Sequence, residues 1–159
     1  MRVQLISNFA KVEKKVADAI PPAVFEACTI LRNEWARTLA GTRHGRLYRI
    51  PGTKAPGFSL SRYRKARGRG RMLTGYYRAS APGEAPASAT GRLRQSLRIG
   101  VRVASKSAEG RVGSPLDYAF WLEYGTRYMQ PRAHLSRAYA KVKSRLIRVI
   151  GSGIRKSLR

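Results

Sequence analysis

Phe9, Val12, Val16 and Ile20 recur in steps of three and four behind Asn8, a suitable cap, and predict an amphipathic helix. Pro21 and Pro22 follow at once. Because proline lacks the donor that a helix interior needs, the pattern predicts a kink here or a second helix with Pro22 in its first turn. Beyond it Val24, Cys28, Leu31, Trp35 and Leu39 form an apolar stripe that Gly41 ends. Residues 41–91 keep no helical period, and their scattered Gly and Pro predict a long loop or an extended hairpin. Then Leu97, Ile99, Val101 and Val103 alternate with Arg98, Gly100 and Arg102, the two-residue period of a strand with one buried face and one cationic, solvated face. Residues 105–110 read as a turn and 111–114 as a short return strand. Residues 118–124 fit one or two helical turns closed by Gly125. Leu135, Ala138, Tyr139, Val142, Leu146 and Val149 trace a last helix, with Gly151 placed to end it.

That order predicts an α+β fold: amino-terminal helices and a carboxy-terminal helix packed on a small antiparallel β-sheet, with a long basic loop or hairpin excursion. At 159 residues the chain can bury a true core, and one domain is the expectation: a helical region over 8–40, the basic excursion over 41–91, and sheet, short helix and last helix over 92–159.

Charge changes the picture more than hydropathy does. Lys and Arg outnumber Asp and Glu by 33 to 8, for a net charge of +25. A free monomer so charged repels itself, so a polyanion or acidic partner surfaces are expected to compensate, with nucleic acid first. Twelve basic residues and no acid lie between Glu34 and Glu84, and the stretch from Tyr124 to Arg159 carries ten more, again with no acid. The segment 62–72, RYRKARGRGRM, reads as a solvated, arm-like stretch, with Tyr63 available to stack on a base. No apolar run is long enough to span a bilayer, and no signal-peptide pattern opens the sequence. The single Cys28 excludes an intramolecular disulfide and suits a reducing compartment.

Candidate chemistry is sparse. Outside the first helices the acids are Glu84, Glu109, Asp117 and Glu123, and His44 and His134 stand alone in sequence. A metal nuclease built on Asp117, Glu123 and His134 would need more convergent carboxylates. Ser96, Ser114 and Ser136 occupy no nucleophile elbow, the glycines of 62–72 form no phosphate loop, and Cys28 sits on a packing stripe. The expectation is a non-enzymatic protein with no metal and no cofactor.

Three fragments carry a resemblance: SAPGEAPASATGRLRQSLRI at 80–99, YAFWLEYGTRYMQPRAHL at 118–135, and the helix opening SRAYAKV. Together they resemble the head-tail joining family of long-tailed bacteriophages, variously called neck, tail-completion or minor tail component proteins. The matching positions are Thr90, Gly91, Leu93 and Ser96 in the first fragment. In the second they are Tyr118, Glu123, Tyr124, Gly125, Thr126, Pro131, Arg132 and Leu135. Ala133-His134 stands where that family commonly has Pro-Phe, and the double proline and the long basic excursion are unusual in it.

The resemblance implies a structural virion protein, assembled in the host cytoplasm, that forms a homo-oligomeric ring at the head-tail junction. Portal, connector or stopper proteins would lie on the head side, tail-terminator or tail-tube proteins on the tail side, with double-stranded DNA in the channel and no membrane involved. Six subunits are expected from tail-side rings and twelve from portal matching. Arg62, Arg64, Lys65, Arg67, Arg69 and Arg71 are then the expected contacts to DNA or to a neighbouring acidic ring. The alternative is a cellular basic nucleic-acid-binding protein of ribosomal-protein type. In either case the aromatic residues Tyr118, Phe120, Trp121 and Tyr124 are expected to form one packing face of their short helix, and Glu123 to anchor a neighbouring Arg or backbone amide.

Overall fold

The computed structural model describes residues 2–49, 75–81, 83–104 and 107–158, and of residues 2–11 the backbone alone. The element order is α1 (Arg2–Ala40), β1 (Leu47–Arg49), β2 (Tyr76–Arg78), α2 (Arg92–Gln95), β3 (Arg98–Ala104), β4 (Ser107–Gly113), α3 (Asp117–Tyr124) and α4 (Leu135–Ser157). The fold is α+β; among the described residues the strands form two two-stranded antiparallel sheets, β1-β2 and β3-β4, where one small sheet is expected from the sequence. The segments 2–36, 97–115 and 136–158 make one compact unit; 37–49, 75–96 and 116–135 belong to the other.

Unit one is two helices and a hairpin. Its α1 runs continuously through Pro21 and Pro22, so no second helix begins there. The prolines remove two consecutive donors, leaving the carbonyls of Ala17 and Asp18 without their helical partners. Asp18 and Pro22 are exposed, so water can take the donors' place on this turn. Ala23, Ala27, Cys28 and Trp35 of α1 are buried, as are Leu97, Ala138 and Val142. A Cβ on Gly153 would lie 2.7 Å from Ala23 Cβ, and Lys141 Nζ lies 3.6 Å from Glu34. Contacts that climb α1 from 23 to 34 while descending α4 from 153 to 141 make the two helices antiparallel. Gly151 therefore does not end α4, which runs on to Ser157: the next glycine is a point of close approach to α1.

The hairpin keeps the predicted phase but not the predicted turn. Ile99 and Val101 are half-buried between exposed Arg98, Gly100 and Arg102, while Val103 is 59% exposed. Pairing runs from Arg98↔Gly113 to Ala104↔Ser107, so residues 107–110 are strand and not turn. Gly110 is the reason such a polar segment can pair: a Cβ there would stand 2.7 Å from Val24 Cγ1 and also strike Cys28 Sγ.

Unit two begins at Arg37, in the last turn of α1. The guanidinium of Arg43 folds back over that helix end, its Nη2 donating to the carbonyl of Thr38 at 2.7 Å and that of Leu39 at 3.3 Å. It also donates to Pro86 O from Nε and Nη2. One side chain thereby satisfies orphan helix carbonyls and ties them to the segment before α2. The excursion is closed at its base as a hairpin, with Leu47↔Arg78, Tyr48↔Tyr77 and Arg49↔Tyr76 paired and Gly45 N donating to Ala79 O at 3.0 Å. Residues 50–74, including Arg62, Arg64, Lys65, Arg67, Arg69 and Arg71, lie outside the described residues.

Candidate functional site

Helix α3 forms where the sequence placed it, but it faces the other way. Ala119 and Glu123, one turn apart, are its buried residues. Phe120, Trp121 and Tyr124 are 63%, 52% and 67% exposed, and Tyr118 also reaches solvent. The expected aromatic packing face is therefore the outer face, because the four-residue spacing of Ala119 and Glu123 takes the inward stripe. Phe120 and Tyr124 lie against each other, with ring centres 4.8 Å apart.

The polar half of the site is a buried carboxylate. Glu123 Oε2 accepts hydrogen bonds from the backbone N–H of His134 at 2.8 Å and of Leu135 at 2.9 Å. Leu135 opens α4, so the carboxylate sits on that helix's first amides, where negative charge is favoured by the dipole and the bonds are charge-assisted. His134, 1% exposed, has Nδ1 3.4 Å from the same oxygen and hydrogen-bonds through its ring to the Ala119 carbonyl. Burial pushes the imidazole below its ordinary pKa and outweighs the opposing pull of Glu123 and the Ala119 carbonyl. The intervening turn needs Gly125: its φ is +80°, and a Cβ there would lie 2.7 Å from Met129 O and 2.9 Å from Pro131 N. Thr126 Oγ1 accepts from Tyr128 N at 3.3 Å, and Arg132 N donates to Leu122 O at 2.7 Å.

The two sequence fragments meet here. Arg132 Nη1 donates to Ser80 Oγ at 2.8 Å. Thr90, Gly91 and Leu93 line a shallow pocket of about 200 Å³ together with Tyr118, Leu122 and Leu39. Gly91, with φ +75°, precedes the single turn of α2, Arg92 N donates to Thr90 Oγ1 at 3.4 Å, and Ser96 Oγ returns to Leu93 O at 2.8 Å. Thr90, Ser96, Glu123 and Thr126 each use a side-chain oxygen to hold backbone.

Both histidines, solitary in sequence, find a carboxylate in space. His44 Nδ1 lies 2.6 Å from Glu84 Oε1, while Glu84 Oε2 accepts from His44 N at 3.1 Å and Ala81 N at 2.8 Å. The Ala81 amide, then the His44 ring and amide, hold the Glu84 carboxyl down at about 2. Glu84 is detectable as the first acid after a long basic stretch and Ser80 opens the first resembling fragment, whereas nothing in the sequence singles out Arg43 from the other basic residues. Asp117 is exposed in the first turn of α3, and among the described residues no group of three His, Cys, Asp or Glu could hold a metal ion. Burial raises the Cys28 thiol, which keeps it protonated and unreactive. Among the described residues no helix is long and apolar enough to cross a membrane. No protein-family model, curated protein or solved structure matches the chain.

Proposed function

We propose that this chain is a structural subunit of a tailed-phage virion, forming a homo-oligomeric ring at the head-tail junction through which double-stranded DNA passes. The observation that carries the reading is the buried Glu123 carboxylate, spent on the amides of His134 and Leu135. Two of the three residues a nuclease would use, Glu123 and His134, thus serve to hold the turn that leads from α3 to the start of α4. The meeting of the two resembling fragments at Ser80 and Arg132 supports the same reading, since separate stretches of sequence build one local scaffold. Exposed Phe120, Trp121 and Tyr124 leave apolar surface of the kind that subunit contacts cover. The basic stretch 62–71 is assigned to the DNA channel or to an adjoining acidic ring on its charge.

Native mass measurement of the purified chain, alone and with duplex DNA, tests the reading. A closed ring of six, or of twelve, is expected; a monomer that binds RNA or DNA and never closes would favour the ribosomal-protein-like alternative. Glu123→Gln is expected to weaken folding and ring closure by removing a charge-assisted cap of about 1–3 kcal/mol. Should that variant fold and assemble normally while losing a magnesium-dependent plasmid cleavage present in the parent, the structural reading falls to an enzymatic one.

A further inference from the structure

We infer that the solvent face of α4 is a phosphate-binding surface for duplex DNA, and that it does so independently of the basic stretch at 62–71. The proposal rests on the reading that DNA is this chain's working partner, and it names the surface that meets it. Arg137, Lys141, Arg145, Arg148 and Arg155 are all exposed. They follow one another at steps of four, four, three and seven, with Ser152 in the one gap. At about 100° and 1.5 Å per residue, those steps put all five within an arc of roughly 80° and along a line of about 27 Å. No apolar residue interrupts the row.

Three observations favour a polyanion over other occupants. First, α4 contains no acid at all, and among the described residues only Lys141 of the five has an ion pair, a loose one with Glu34. Second, every acid of unit one lies off α4: Glu13, Asp18, Glu26 and Glu34 are on α1 and Glu109 is on β4. Third, the apolar stripe of α4 is engaged at Ala138, fully buried, and Val142, 7% exposed, while the exposed Tyr139 and Ile147 lie off the cationic row. A helix that binds a membrane surface must free that stripe for the acyl boundary, and a protein partner would want apolar contact at the centre of its interface. What remains is a row of cations about 4.5–6 Å apart, with one gap of about 10.5 Å, facing a strand whose phosphates rise about 3.4 Å each, a mismatch that long Arg side chains absorb.

The test is a salt titration of the full chain on a labelled mixed-sequence DNA duplex. Combined Arg137→Gln, Arg145→Gln, Arg148→Gln and Arg155→Gln should flatten the slope of log affinity against log salt by about 3–4, since each phosphate contributes about 0.9. Lys143→Gln, on α4 but off the row, should change it by less than about one. The matching Arg→Lys set should restore the parent slope. If the fourfold variant proves unfolded by circular dichroism, Arg145→Gln and Arg148→Gln singly should each lower the slope by about one. A parent slope in the folded fourfold variant, or tighter binding to phosphatidylserine vesicles than to DNA at equal salt, overturns the inference. Native mass on the same samples reads the ring separately: lost slope with no ring leaves the role of α4 standing and sinks the ring, whereas rings with unchanged slope do the reverse.

Discussion

Glu123 and Glu84 are both acids in a basic chain, yet burial separates their roles. Glu123 is buried and meets two amides at the start of a helix; Glu84 is reachable by water and gathers two amides and a ring. The pH dependence of folding is governed near neutrality by His134 instead. In the unfolded chain an imidazole takes its proton near 6.5, whereas burial holds the folded one below that. The unfolded state therefore binds more protons as pH falls, so stability is at its plateau above about 6.5 and declines below it. Glu84 acts later and in the same direction: its stabilisation is present above the ordinary carboxyl value of 4.5 and is lost as pH falls toward about 2. Thermal unfolding from pH 8 to pH 5 should show a level region and then a fall, and His134→Phe should remove most of that fall. An equal fall in the variant would mean that His134 is not the group responsible.

At the scale of elements, glycine decides how closely the hairpin approaches α1. Replacing a strand glycine by alanine usually gains about 0.4–1 kcal/mol by restricting the unfolded chain. That gain should appear at Gly113, where a Cβ meets nothing within 4 Å. It should reverse at Gly110, where the Cβ would sit 2.7 Å from Val24 Cγ1 and the crowding costs about 1–3 kcal/mol. Urea unfolding of Gly110→Ala and Gly113→Ala should shift the midpoint in opposite directions; stabilisation by both would refute the close packing. The same contact explains why β4 was half hidden in the sequence. Ser107, Glu109 and Gly110 offer no apolar alternation, so only pairing with β3 and contact with α1 reveal them as strand.

For the whole molecule, charge is the dominant global term. Against +25 there are few ion pairs among the described residues, such as Arg111 with Glu109 at 2.9 Å and Lys141 with Glu34. Salt screens attraction and repulsion alike, shrinking the Debye length from about 10 Å at 0.1 M to about 3 Å at 1 M. With repulsion so much more abundant, the folded chain should gain from that screening. Differential scanning calorimetry in sodium chloride should find Tm rising between these concentrations, by ~2–4 °C for each kcal/mol gained. A falling Tm would show that the ion pairs outweigh the repulsion.

Sequence alone determined the α+β class, the long helices, the phase of β3, the position of α3 and the confinement of acids to a few places, because periodicity and charge are properties of local order. It also singled out Glu123, Gly125, Pro131 and Leu135 as a linked pattern. Only the tertiary structure decided what that pattern does: the carboxylate's donors lie eleven and twelve residues away, and the outward turn of Phe120, Trp121 and Tyr124 depends on which face of α3 finds a partner. Likewise the passage of α1 through two prolines and of α4 through two glycines was settled by packing. Local propensity opposes a helix at those points, but the contact of Ala23 with Gly153 rewards two helices that continue past each other.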